Sequence, residues 1–217
     1  MAEIREIYGV YGAGGCGRGL IPFVHENFSS KFTKIVFIDD TLKSKKIDGY
    51  QVLSYSTFKK LKIKKKFILI GISNTKIRKK ISQRLIKDKV KSFSLFSNKS
   101  IIFKKKNIGI GSSISPFVTI TSNVKIGKFF HINLYSYVEH DCRIGNFVTF
   151  APGVKCNGNI IIEDNVYIGS GAVIKNGLPN KKIIIGKNTV IGAGSVITKN
   201  VPRNSVMIGN PAKKLIK

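Results

Sequence analysis

Residues 136–158, SYVEHDCRIGNFVTFAPGVKCNG, decide how most of this chain folds. Val138, Ile144, Phe150 and Cys156 recur every sixth position, a period that fits neither a helix nor a simple alternating strand. Stepping outward by six gives Ile108, Ile114, Ile120, Ile126 and Ile132 on one side, and Ile162, Ile168 and Ile174 on the other. Four residues after each first position lies a small or apolar side chain, among them Ser112, Val118, Phe130, Ser136, Cys142, Val148, Val154 and Ala172. Such a repeat predicts a parallel β-helix in which each hexad is one short strand and a turn, and three hexads close a triangular coil. First-position side chains stack inside it. Glycine often follows that position, as at Gly109, Gly127, Gly145 and Gly169, and is expected to accommodate the corner. The phase slips across 175–184 and resumes at Ile185, Ile191 and Ile197, which predicts an extruded loop.

The first hundred residues read differently. A strand over 7–11 runs into the turn Gly12-Ala13-Gly14-Gly15-Cys16-Gly17, and a helix is expected over 18–28, interrupted by Pro22. The glycines match G-x-G-x-x-G, which lets backbone approach a phosphate while the helix start supplies N–H donors. A second strand over 34–38 ends in Asp39-Asp40, where an acid meets a ribose or base. A third over 67–71 leads through Ser73-Asn74 into a basic amphipathic helix over 76–87, and a strand over 92–95 closes the unit. Gly71, Ser73 and Asn74 thus join the glycine turn and the acid pair at the strand ends where such sheets bind ligands. This βαβαβ unit holds one nucleotide; with no second half, a dehydrogenase is disfavoured.

The chain carries 38 Lys and Arg against 11 Asp and Glu, a formal net charge of +27. That sign implies an anionic partner. The excess is mostly lysine in short runs with few aromatics nearby for stacking, so a phosphorylated small molecule explains it better than nucleic acid. No apolar run approaches the length of a bilayer span, and the start has no cationic region before an apolar stretch, so a cytoplasmic chain with no membrane span is expected. Cys16, Cys142 and Cys156 have no metal-ligand spacing; free thiols and no metal are expected.

The motifs GAGGCGR at 12–18, IDD at 38–40, EHD at 139–141, IGAGSVITKNVP at 191–202 and GNPAKK at 209–214 occur in a telling order. Along essentially its whole length the chain resembles the two-domain nucleotide-sugar acetyltransferases with left-handed β-helices. These include the bacillosamine-pathway N-acetyltransferase, the N-acetyltransferases of 4-amino-4,6-dideoxy sugars and the sialic acid O-acetyltransferases. The resemblance implies an α/β Rossmann-like domain over 1–97, holding a nucleotide-linked amino sugar through Gly12, Ala13, Gly14, Gly15, Cys16, Arg18, Asp39, Asp40, Gly71, Ser73 and Asn74. It implies a left-handed β-helix acyltransferase domain over 98–217; that hand is an exception to the usual crossover rule and comes from the resemblance. Acetyl-CoA as co-substrate would lie between adjacent β-helices against Ala151, Gly158, Ile168, Gly169, Ala172, Ala193, Lys199 and Lys213. A homotrimer with shared sites follows from that placement.

An amine attacking a thioester must lose a proton while the carbonyl oxygen gains charge. His140 stands two places beyond the inward Val138, so its ring is expected to point outward, and Asp141 beside it can fix the tautomer. The resemblance makes His140 the general base and Asp141 its orienting acid, places the Gly158 N–H at the thioester oxygen, and sets Asn133 near the reacting centre. Two departures from the relatives stand out: Thr149 occupies the place of a second histidine in some, and Cys16 that of a His or Phe in several. His25 and His131 match no catalytic position. The activity implied is acetyl-CoA-dependent N-acetylation of a dTDP- or UDP-linked 4-amino-4,6-dideoxy sugar for lipopolysaccharide O-antigen or other surface glycan. The alternatives are O-acetylation of a sialic acid and a non-catalytic nucleotide-sugar- or nucleic-acid-binding protein.

Overall fold

The apolar runs of the first hundred residues form strands covered on both faces, as continuous apolar runs in a parallel sheet require. In a computed structural model describing residues 3–215, the chain divides into two units between Leu95 and Phe96. The first contains β1 (Glu6–Tyr11), α1 (Gly15–Phe28), β2 (Thr33–Ile38), β3 (Lys46–Ile47), β4 (Tyr50–Leu53), α2 (Tyr55–Lys60), β5 (Lys65–Ile70), α3 (Thr75–Lys87) and β6 (Lys91–Ser92). Their order across the sheet is β3-β4-β2-β1-β5-β6, parallel except for the β3–β4 pair. Tyr11 at the end of β1 stands level with Ile38 and Ile70, so three strands deliver their following loops to one edge. Val10, Phe37 and Leu69 are fully buried beneath it.

Two sequence expectations change here. Helix α1 is continuous through Pro22, which lies on its exposed side while Leu20, Ile21 and Val24 bury the other. Helix α2 was not foreseen: Ser54 caps it, its hydroxyl accepting from the Thr57 N–H at 3.1 Å, and Tyr55 and Phe58 anchor it.

The second unit is a parallel β-helix. Its strands are mostly two residues long and fall on three parallel faces, each residue pairing with one 18 positions on: Thr119 with Tyr137, Lys125 with Arg143, His131 with Thr149. The first-position residues from Ile114 to Ile174, Cys156 included, form one buried column with their fourth-place partners. Interior Ser136 is satisfied locally; its Oγ donates to the Ala151 carbonyl at 3.1 Å and accepts from the Val154 N–H at 3.0 Å. Ile162 pairs with Ile185, so the extra residues leave the coil as a loop before Ile183–Ile185 and the register resumes.

The corner is not made by the glycine after the inward residue. Positive φ falls three places after it, without a break at Gly111, Phe117, Asn123, Phe129, Tyr135, Asp141, Phe147, Gly153, Asn159, Asn165 and Gly171. Asn, Asp and Gly enter that region most readily. The aromatic residues gain a compensating contact: Phe129 stacks on Phe147 and Phe117 on Tyr135, with centroids 5.1 and 5.0 Å apart. The glycines after the inward residue serve clearance instead. A Cβ on Gly127 would sit 2.7 Å from the carbonyl carbon of Gly145 in the next coil, and one on Gly109 2.5 Å from that of Gly127.

Gly127→Ala should therefore lower stability by about 1–3 kcal/mol, because backbone must move to admit the methyl. Gly19→Ala, in the middle of α1 with open space around it, should raise it by about 0.5–1 kcal/mol. Equilibrium denaturation of the two variants distinguishes clearance from a general dislike of alanine.

Candidate active site

His140 and Asp141 lie on the corner that follows Tyr137–Val138, and their side chains are about half and two-fifths exposed. Asp141 takes the positive-φ position (φ 59°), with Asn123 of the coil before it and Asn159 of the coil after it in the same conformation. Asn123 Nδ2 donates to Asp141 Oδ1 at 2.5 Å. Asp141 Oδ2 lies 2.8 Å from His140 Nδ1. An ionised carboxylate only accepts, so Nδ1 carries the proton and the Nε2 lone pair is left for a substrate. The amide of Asn123, then the imidazole, hold the Asp141 carboxyl below its ordinary range, which keeps it an acceptor. Asn123 escaped the sequence reading, although its place 18 residues before Asp141 marks it as the stacked neighbour. Lys182 from the extruded loop also arrives here, its Nζ 3.3 Å from the Asp141 carbonyl oxygen.

Gly158 lies directly against the ring: a Cβ there would sit 2.6 Å from both Cε1 and Nε2 of His140. Main-chain bonds fix this approach, Asn159 N–H to the His140 carbonyl at 3.0 Å and Gly177 N–H to the Gly158 carbonyl at 2.9 Å. Beneath the corner the Cys142 thiol donates to the Asn157 carbonyl at 3.1 Å, and Cys142 and Cys156 are fully buried. Asn133 stands on the preceding corner, its amide donating to the Phe150 carbonyl at 2.7 Å, so the chain does not bring it to His140. Ile168 and Ala172 belong to the buried column, so what they present outward is backbone. Gly169 is tight against the Gly192–Ala193 backbone, Ala151 is nearly buried, and Ala193, Lys199 and Lys213 are exposed. Lys199, Lys175, Lys181 and Lys182 line a cavity of about 440 Å³ under the extruded loop. Thr149 is buried, level with His131 on the neighbouring strand.

In the first unit, Gly12 holds a φ of 104° and Gly17 has no room for a Cβ, which would meet the Gly12 carbonyl oxygen. Gly71 is confined too: a Cβ there would sit 2.8 Å from the Gly17 Cα. At Gly14 and Gly15 a Cβ would meet nothing within 4 Å, so the N-terminus of α1 opens onto free space, where backbone donors suit an anion. Ala13, Gly14, Arg18, Asp39 and Thr41 line a cavity of about 440 Å³ beside it. Burial alone would raise the Asp39 carboxyl; donors from Ala13 N–H at 3.0 Å and from Thr41 outweigh it and hold the group below its ordinary range.

Asp40 has another occupation: it accepts from Tyr11 Oη at 2.6 Å, Tyr55 N–H at 2.8 Å and Arg84 Nη1 at 3.0 Å. That network ties β1, α2 and α3 together, so Asp40 carries a structural role that Asp39 does not. Asn74 likewise caps α3, its Oδ1 accepting from the Ile77 N–H at 3.1 Å, and the Ser73 carbonyl accepts from the buried Arg78 at 3.0 Å. The Cys16 thiol is raised chiefly by burial, which makes it a poor nucleophile.

A β-helix with an outward histidine, its tautomer set by a carboxylate, in a chain that also carries a unit with an open phosphate-type turn, is the pattern of a hexapeptide-repeat acyltransferase. Comparison with known proteins agrees. Residues 9–85 match the PglD N-terminal domain. The chain is 47% identical over 179 residues, 81% of each chain, to the GDP-perosamine N-acetyltransferase of Escherichia coli O157:H7. WeeI from Acinetobacter baumannii AYE superposes with a TM-score of 0.92 at 48% identity, covering 97% of this chain and all of that one. The acetyltransferase domain of PglB from Neisseria gonorrhoeae FA1090, solved with acetyl coenzyme A, shares the fold with a TM-score of 0.84 at 24% identity, covering 98% of this chain and all of that one. The chain belongs to this family of sugar N-acetyltransferases, and is an acetyl-CoA-dependent acyltransferase. No described helix is long and apolar enough to cross a membrane.

Gly158→Ala should displace the imidazole without unfolding the coil, since the ring can swing away where backbone cannot. The expected signature is a moved His140 ring resonance and at least a tenfold loss of CoA-releasing activity at an unchanged melting temperature.

Proposed function

We propose that the chain acetylates the amino group of a GDP-linked 4-amino-4,6-dideoxy sugar, GDP-perosamine being the first substrate to test. The observation that carries the mechanism is the Asn123–Asp141–His140 chain of hydrogen bonds, which leaves Nε2 as a base on an outward corner. The substrate amine attacks the thioester carbonyl carbon and gives a proton to Nε2. The C–S bond then breaks, and the proton passes to the departing CoA sulfur. The Gly158 N–H is the expected donor to the carbonyl oxygen. The 47% identical relative's name supports GDP over the dTDP or UDP expected from the sequence.

In this reading the first unit is Rossmann-like, and the diphosphate meets the start of α1 while Asp39 and Arg18 face the nucleoside. The β-helix winds left-handed as in the resembling family. A homotrimer, as the resemblance implies, would place the Asn133 of a neighbouring copy near His140. Acetyl-CoA lies along the small-residue corner at Ala151, Gly169 and Ala193, with Lys199 and Lys213 toward its phosphates. The reaction serves surface-glycan assembly in the cytoplasm.

CoA release assayed on a panel of GDP-, dTDP- and UDP-linked amino sugars should be fastest with GDP-perosamine. His140→Ala should lower kcat/KM by about 10²–10⁴-fold with the fold intact, the usual loss for a general base. Undiminished turnover in that variant would remove the base assignment. Asp141→Asn should reduce kcat/KM with the fold intact, because an amide no longer selects the tautomer with the proton on Nδ1 and the lone pair on Nε2.

A further inference from the structure

The end of the first unit's sheet opposite the glycine turn has a use the reaction does not explain. The N-terminal ends of β1, β2, β5 and β6 gather there, about 20 Å from the nucleotide edge for strands of this length. Two cavities of about 490 and 610 Å³ open at this end and share Lys64 and Lys65. Lys59, Lys89 and Lys91 border the first, Lys62 the second, and all six are exposed. The acids nearby are Glu3, Glu6 and Asp88. Two are already paired, Glu6 with Lys65 at 2.7 Å and Asp88 with Lys59 at 3.1 Å, so cations remain in excess. Ile4, Ile63 and Phe32 lie among them.

We propose that this face docks the enzyme on an anionic phospholipid surface. Two adjoining cavities rimmed by lysine on flexible stems, with apolar groups between, suit a layer of headgroups; a single phosphate is better held by an arginine fork or a backbone cradle. Bases of a single-stranded nucleic acid need a free aromatic face. Phe32 does not offer one, because Arg5 lies 4.7 Å and Lys31 5.1 Å from its ring centroid. Docking through these strand starts leaves the opposite edge, with Gly14, Gly15 and Asp39, facing water and open to a nucleotide sugar. The inference stands apart from the identity of that sugar.

The test is sedimentation of the full chain with vesicles of phosphatidylcholine alone or with about 30% phosphatidylglycerol, at about 50 and 300 mM NaCl. Binding should require the anionic lipid and collapse at the higher salt, as the screening length shortens. The Lys62→Gln/Lys64→Gln/Lys89→Gln/Lys91→Gln variant should bind at least a hundredfold more weakly, since each lysine near such a surface contributes a factor of about five. Its melting temperature checks that it folds. Lys104→Gln/Lys106→Gln/Lys125→Gln/Lys128→Gln, which removes the same charge from the β-helix, should retain binding. Equal loss in both variants, equal binding to neutral vesicles, displacement by inorganic phosphate beyond the effect of chloride at matched ionic strength, or preference for random DNA would each overturn the proposal.

Discussion

Coil-on-coil registration governs the larger half of this molecule. Each two-residue strand is too short to stand alone, so it exists because the strands 18 positions before and after it supply its hydrogen bonds. That stacking holds only if the chain turns at the same place in every hexad, which is why positive φ recurs at every sixth residue from Gly111 to Gly171. A phenylalanine in that conformation is unfavourable by about 1–2 kcal/mol, and stacking on the aromatic one coil away offsets part of it. The same registration leaves no room for a Cβ at Gly127 or Gly145.

The proposed catalytic pair lies at a corner where the stacked column is Asn123, Asp141, Asn159. Elsewhere the equivalent positions link amide to amide, as Asn165 to Asn188 and Asn188 to Asn204. Placing an aspartate in such a column converts a structural link into an acceptor with a second oxygen to spare, and that oxygen orients His140. The imidazole is then held by the same stacking that builds the coil, with Gly158 giving it space and Asn159 gripping its carbonyl. A rigid corner of this kind, rather than a flexible loop, would supply the positioning that the proposed proton transfer needs.

Much of this was legible in the sequence because a period of six leaves little choice of architecture. Val138, Ile144, Phe150 and Cys156 declared the interior, and the place of His140 two beyond Val138 declared it outward. What escaped depends on pairs distant in sequence. The corner residue was misassigned to the glycine beside the inward position because clearance and turning both select glycine; the run of Asn and aromatic residues at the true corner has no single composition. Asp39 and Asp40 look alike as adjacent acids, yet one faces a cavity and the other is consumed by Tyr11, Tyr55 and Arg84, residues 15 to 44 positions away. Ile168 and Ala172 follow the inward pattern, and their burial was legible from their own periodicity.

The proposed role of His140 as base requires the acceptor amine within its reach. A crystal structure of the enzyme with CoA and GDP-perosamine bound measures that directly. The amine nitrogen should lie about 3 Å from His140 Nε2, within hydrogen-bond reach, while Nδ1 keeps its bond to Asp141. An amine held well beyond that reach, with another side chain at hydrogen-bond distance, would contradict it.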